Sequence, residues 1–348
     1  MLTARENMRR CIRGDAAPDR YVNNYEALSL GIHPALMMGR MPEKGGPAVV
    51  DAWGVTREYP ADNPAAFPVH TPDKIVVKDI ESWRDYVHAP QTDFPDELWA
   101  FCKEKMYDTV DTTRSFKGTL YVSGLFEMSH YLCSIADALT YFVTNPDEMH
   151  DMIKYLTEYE LRVAEGICKN LKPELLFHHD DWGTENTSFL SPAMFEDFFL
   201  DAYKEIYQYY HTHGVEFVVH HSDSFCANLV DSMVEMGVDV WQGCMQSNDV
   251  RSLVKKYKGK MTFMGDIDNK AIDFKGWTRE DCRKAATRAM EGADLYGFIP
   301  CITQGLAGTI YPGAYETLVE EVDAINSEKF GFTLEELAAN RVPMRLGL

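Results

Sequence analysis

What most constrains this chain is a rhythm that sets in at about residue 115, where short apolar, β-branched or aromatic runs begin to alternate with longer helical segments. That alternation is the pattern of βα units laid into a parallel sheet. The expected strands are Gly118–Ser123, Leu175–His179, Val215–His220, Val238–Gln242, Met261–Gly265 and Gly297–Pro300. Each is nearly continuous in apolar character, as strands buried on both faces are. Between them, Asn145-Pro146 and Ser191-Pro192 each place a capping residue before a first-turn proline. The second of these helices runs through Phe195, Phe198, Phe199 and Tyr203 to His213-Gly214, and another runs from Ser222 to Met236 and stops at Gly237. Six clear strands, with one or two more in the N-terminal third, fit a (β/α)8 TIM-type barrel better than a doubly wound sheet. A nucleotide fold finds no support in a GxGxxG or Walker pattern. Residues 1–90 are irregular and rich in Pro and Gly, so the expected organisation is one domain, 1–348, with 1–90 as an N-terminal extension and lid and 91–348 as the barrel body.

Charge narrows the partners. With 34 Lys+Arg against 54 Asp+Glu the formal net charge is -20, which repels phosphate backbones and argues against nucleic acid and anionic membranes. It also disfavours a small substrate with many carboxylates unless a local basic pocket overrides it. The eight cysteines are scattered without a CxxC pair, which fits reduced thiols in a cytoplasm, with one or two free for metal. Thr3-Ala4-Arg5-Glu6 fits a capping box opening a short amphipathic helix rather than a secretory signal. The most apolar stretch, Leu120 to Val143, is broken by Glu127, His130 and Asp137, so no membrane span is expected.

A barrel of this kind works at the carboxyl ends of its strands. Those ends read His178-His179-Asp180-Asp181-Trp182-Gly183-Thr184-Glu185, His220-His221-Ser222-Asp223, Trp241-Gln242-Gly243-Cys244, Gly265-Asp266-Ile267-Asp268 and Ile299-Pro300-Cys301. They bring His, Asp, Glu and Cys together without Arg or Lys, an inventory suited to metal or acid–base work. At strand spacing His221 and Asp223 face the same way and can share a metal, with Cys301 closing the site from across the mouth. The plainer account makes His221 a satisfied buried histidine and Cys301 a small core residue. Asp181 is a candidate for orienting a histidine or polarising a substrate group and Glu185 for a fourth metal ligand or general base; Asp180 reads better as a structural partner. Tyr21, Tyr25, Trp53 and Tyr59 are candidates for a lid that stacks on a planar substrate, or for core packing. Arg40 is either a carboxylate clamp or an exposed loop residue.

Several of these stretches, in this order, resemble the uroporphyrinogen decarboxylase superfamily: Gly124-Leu125-Phe126-Glu127, Asn145-Pro146-Asp147-Glu148, Asp180-Asp181-Trp182-Gly183-Thr184 with Leu190-Ser191-Pro192, His221-Ser222-Asp223, and Met264-Gly265-Asp266-Ile267-Asp268. The likeness spans roughly residues 115–325. It implies one of two occupations. Decarboxylases of the superfamily work without metal or cofactor and hold substrate carboxylates with an arginine-rich N-terminal loop, to which Arg40-Met41-Pro42-Glu43 is similar but with one arginine missing. The corrinoid-dependent methyltransferase branch carries His-X-Cys at the second of the exits quoted above and a Cys near the last, and holds zinc there. By that resemblance the metal residues are His221, Asp223 and Cys301, with Asp223 where the family has Cys and Glu185 or Cys244 as substitutes. Asp181 and Glu185 remain the catalytic candidates, and Tyr25, Trp53 and Trp182 the substrate-binding ones. A carboxylate in place of a thiolate makes zinc harder and suits an oxygen donor. The chain lacks the Asp-X-His-X-X-Gly cobalamin motif, so the corrinoid is expected on a partner protein. The resulting expectation is a zinc-dependent methyltransferase taking the methyl group of an aryl methyl ether, with a cofactor-free decarboxylase as the alternative and a non-catalytic scaffold behind both.

Overall fold

Eleven strands form in the computed structural model, which describes residues 1–63, 65–306 and 308–347. In chain order they are β1 (Leu28–Gly31), β2 (Val49–Val50), β3 (Thr56–Glu58), β4 (Phe67–Pro68), β5 (Phe116–Tyr121), β6 (Leu175–His179), β7 (Phe217–His221), β8 (Val240–Cys244), β9 (Thr262–Ile267), β10 (Phe298–Ile302) and β11 (Arg345–Leu346). Eight of them make one parallel sheet in the order β10-β9-β8-β7-β6-β5-β1-β11, and helices pack around it as a TIM-type (β/α)8 fold. The remaining three, β2 to β4, pair antiparallel within the N-terminal extension.

All six strands expected from the sequence are present, but two begin two residues later than expected. Val215 and Val238 do not join the sheet at their own positions; their N–H groups bond back to the carbonyls of Tyr210 and Met233 at the ends of the preceding helices. These are helix-terminating bonds of the Schellman kind, with Gly237 in the left-handed region at φ 93°. Their apolar side chains are buried in either role, so hydrophobicity alone does not separate them. The helix expected from Ser222 also starts late, at Val230 after a short turn over Ala227–Leu229, which leaves Ser222–Cys226 as a loop at the barrel mouth.

Of the two strands left unplaced by the sequence, β1 lies in the N-terminal third and β11 at the opposite end of the chain. β11 adds to β1 through Ser29↔Arg345 and Leu30↔Leu346. The seam beside β10 is stitched by the segment leading into β1: the Asn24 N–H donates to Pro300 O at 3.1 Å, and Asn24 Oδ1 accepts from Ile302 N at 3.1 Å.

The two expected proline-initiated helices form. The first is Pro146–Asn170, which turns Met149, Met152, Ile153, Leu156, Val163 and Ile167 inward at helical spacing. The second begins at Pro192, where Ser191 Oγ accepts from Met194 N at 3.3 Å, and runs through a π-turn at Glu196–Leu200 to Thr212. Among the described residues no helix is long and apolar enough to cross a membrane.

Candidate metal centre

Two adjacent strands end in the same dipeptide. The parallel register of β6 and β7 pairs His178 with His220 and His179 with His221. Alternation along a strand then sends one histidine pair outward and the other inward. His178 and His220 turn to the helical layer, where His178 Nε2 meets Glu160 Oε1 at 2.8 Å and both Nδ1 atoms meet the Tyr207 hydroxyl at 3.2 and 2.9 Å. His179 and His221 turn to the barrel mouth and stack with centroids 4.5 Å apart.

The alternation continues past the strand. Asp180 is fully buried and accepts hydrogen bonds from the Phe126 and Glu127 N–H groups at 3.0 and 2.7 Å, from Trp182 Nε1 at 3.0 Å, and from the Tyr203 hydroxyl. Asp181 faces inward, fixed by the Asp223 N–H at 3.0 Å, and its Oδ1 lies 3.9 Å from His221 Nε2. One ligand atom each from His179, Asp181 and His221 lies within 4.8 Å of the others.

Each imidazole is held by a second residue. Gln242 donates from Nε2 to the Ile302 carbonyl at 3.2 Å and to the Tyr25 hydroxyl at 2.8 Å, so its Oε1 faces His221 Nδ1. A carbonyl is only an acceptor, which fixes the amide orientation, places the proton of His221 on Nδ1 and leaves Nε2 bare. Burial, with His179 nearby, pushes His221 down to about 3, so the ring is neutral at ordinary pH. His179 Nδ1 meets Glu127 Oε2 at 3.0 Å, and Glu127 Oε1 accepts from the Tyr131 hydroxyl at 2.9 Å. Burial opposes a charge on His179, but Glu127, Asp181 and Asp223 outweigh it and draw the group up to about 10. Burial raises Asp181 to about 6, and burial with the adjacent Asp181 raises Asp223 to about 8. Three carboxyls, Glu127, Asp181 and Asp223, act on the single raised His179, so the wall is acidic on balance and suits a bound cation.

The donors suit a divalent metal. His221 Nε2, an imidazole nitrogen of His179 once the metal displaces its proton, and one Asp181 carboxylate oxygen would give three ligands with an open side, as catalytic zinc sites have, and each histidine has the outer-sphere partner such ligands need. They face a cavity of about 640 Å³. Tyr25, Trp53, Tyr121, Tyr131, Tyr159 and Phe177 give it aromatic walls. Trp53 meets Tyr159 edge-on at 4.8 Å.

The residues expected from the sequence divide between cavity and core. His221, Asp223, Asp181, Tyr25 and Trp53 line the cavity. Cys301 does not; it is fully buried against Tyr25 and Gln242. Cys244 is likewise buried away from the cavity. Glu185 is exposed in its loop and pairs with Lys270. Trp182 stacks on His220 at 3.9 Å, in the helical layer rather than the cavity wall. Arg40 is exposed and Tyr21 is buried against the carbonyls of Met290 and Ala293. The sequence reading missed His179, Glu127, Gln242 and Arg57. The repeated His-His at neighbouring strand ends was the available sign for His179; Gln242 and Glu127 needed register and helix placement. Arg57 enters the cavity already paired, its Nε 2.8 Å from Asp51 Oδ2 and its guanidinium 4.5 Å from the Tyr131 ring centre.

Comparison with known proteins agrees with this architecture. No curated protein matches the chain in sequence. Among solved structures, a methyltransferase from Methanosarcina mazei superposes with a TM-score of 0.63 at 13% identity, covering 93% of this chain and 99% of its own. The family model for uroporphyrinogen decarboxylase (URO-D) matches residues 51–325. The chain belongs to the uroporphyrinogen decarboxylase (URO-D) family.

Proposed function

We propose that this protein is a zinc-dependent methyltransferase that moves a methyl group from an aryl methyl ether to the cobalt of a corrinoid carried by a separate protein. The observation that carries the proposal is the inward cluster of His179, Asp181 and His221, open on the side of an aromatic cavity. The fold shared with the Methanosarcina mazei methyltransferase supports the same reading. When bound, zinc supplies Lewis acidity at the ether oxygen and the partner's reduced corrinoid supplies the nucleophile. Of this chain's residues, His179, Asp181 and His221 hold the metal, while Glu127 and Gln242 aim the two imidazoles. Asp223 extends the acidic wall beside them. Tyr25 and Trp53 belong to the walls that enclose the ring, and the N-terminal extension is the lid that excludes water while the carbon–oxygen bond breaks.

The alternative, a decarboxylase holding several substrate carboxylates, meets an unfavourable wall. Among the described lining residues Arg57 is the arginine, and Asp51 already neutralises it; Glu127, Asp181, Asp223 and Asp273 line the same space. A polyanion would be repelled there.

Metal analysis of the purified protein, with a reduced corrinoid and methoxybenzene as assay substrates, tests the proposal. Stoichiometric zinc that is lost in His179→Ala and His221→Ala but kept in Cys301→Ser is expected, together with methylation of the corrinoid. Loss of zinc in Cys301→Ser with retention in His179→Ala would overturn the assignment of ligands. Conversion of uroporphyrinogen by metal-free protein would overturn the reaction.

A further inference from the structure

Arg57, the middle residue of β3, lies in the cavity wall and is 7% exposed. Asp51 fixes its orientation. Asp51 Oδ1 accepts from the Trp53 and Val55 N–H groups at 2.9 and 3.0 Å, and Oδ2 accepts from Arg57 Nε at 2.8 Å. The guanidinium carbon stands 4.5 Å from the Tyr131 ring centre. Neither partner engages the far end of the side chain. Among the described residues Nε is the one guanidinium nitrogen with a hydrogen bond, and Asp51 is the one ion-pair partner. Nη1 and Nη2 are unbonded but not sealed, so each keeps accessible surface in the cavity wall. Buried polar groups are nearly always satisfied, and donors held in place but unpaired in a binding cavity are donors for its ligand.

The geometry of those donors names their acceptor. Nη1 and Nη2 end a planar fork that presents two parallel N–H groups, matched to the two oxygens of one carboxylate. An ether oxygen offers a single acceptor atom, and an amide does the same. The charge of Asp51 is spread over two backbone N–H groups as well as Nε, so the lone guanidinium serves one carboxylate and not several. Glu127, the nearest wall carboxylate in this run of contacts, is already engaged by His179 and by the Tyr131 hydroxyl. The fork and the metal centre thus share one wall, with Tyr131 and Glu127 between Arg57 and His179.

We infer that Arg57 is a substrate-recognition residue that holds a single carboxylate on the aromatic ring of the methyl donor end-on through Nη1 and Nη2, so that the cavity selects methoxybenzoates over methoxybenzamides and methoxybenzene. This rests on the methyl-transfer reading for the ring and its methoxy group, whereas the carboxylate contact is read by binding alone.

Calorimetric titration of the purified protein with the three methoxybenzoates, the matching methoxybenzamides and methoxybenzene tests it. The tightest methoxybenzoate is expected to bind about tenfold better than its amide, or more, since the amide has the same shape without the second charged oxygen. In Arg57→Gln that preference falls below about threefold, while amide binding stays within about threefold of the parent. Arg57→Lys, which keeps the charge but not the fork, keeps only part of the preference. Because Arg57→Gln strands Asp51, the double variant Asp51→Asn/Arg57→Gln, in which the pair is removed whole, is titrated beside it and is expected to show the same loss. Absence of the preference in the parent, or its survival in the double variant, overturns the inference; the second result is also what a carboxylate bound directly on zinc would give. An Arg57-dependent preference in a protein that transfers no methyl group would sink the reaction and leave this inference standing. Methyl transfer from methoxybenzene and methoxybenzoates with equal ease, unchanged in Arg57→Lys, would sink this inference alone.

Discussion

At the level of single residues, the amide of Gln242 joins three parts of the site, since it donates to Tyr25 and Ile302 and accepts from His221. Replacing it with Leu leaves the His221 ring free to rotate and to change tautomer. Gln242→Leu is therefore expected to weaken zinc binding by about 10- to 100-fold, the usual effect of losing an outer-sphere partner, as read by competition with a chelator. Glu26 offers a different residue-scale test. It is 5% exposed, and burial lifts its carboxyl from the usual 4.5 to about 7 despite Arg20 nearby. A carboxyl raised in the folded state favours the protonated form, so its contribution is full below pH 4.5 and is lost as pH rises through about 7. Denaturant melts across that window are expected to show parent stability falling by up to ~3 kcal/mol from this group, with the slope flattened in Glu26→Gln.

At the level of elements, Asp180 ties the end of β6 to the start of the helix Leu125–Cys133, whose Glu127 aims His179. Asp180→Ala strips an acceptor from two backbone N–H groups, Trp182 and Tyr203 at once, and is expected to destabilise the protein by about 3 kcal/mol or more in urea melts. Gly124 marks the same junction: a Cβ there would stand 2.6 Å from Asp180 Cβ and from His178 Cε1, so Gly124→Ala must push β6 and the helix apart. Zinc affinity lost in this variant, with Cys301→Ser unaffected, would locate the coupling at that contact. This is also the scale at which the sequence was most and least legible. Long apolar runs announced six strands, because burial on both faces leaves a continuous signal. Two-residue β11 has no room for a period. The strand-end motifs pointed to Asp181 and His221, which both line the cavity, but which neighbour faces inward depends on register, which a single sequence does not carry. Cys301 shows the same limit: its strand end was legible, but its burial against Tyr25 and Gln242, outside the cavity lining, depends on packing.

At the level of the whole molecule, the eight cysteines are free and buried. Burial pushes Cys11, Cys133 and Cys168 up to about 12 and Cys102 and Cys282 to about 11, so none of these five is a ready thiolate. Native protein at pH 8 is expected to react with a thiol reagent only at the rate of unfolding. Rapid native labelling at Cys301 would mean that its sulfur reaches solvent, contrary to its place in the core. The location of β11 has a consequence of another kind. Met344 and Leu346 line the cavity while Leu346 holds the edge of β1, so the binding chamber and the sheet are finished by the same few residues. A ribosome-bound chain that still lacks them carries an unzipped β1 border and a chamber with a missing wall. Replacing Met344 and Leu346 with Gly should therefore abolish ligand capture before it unravels the barrel.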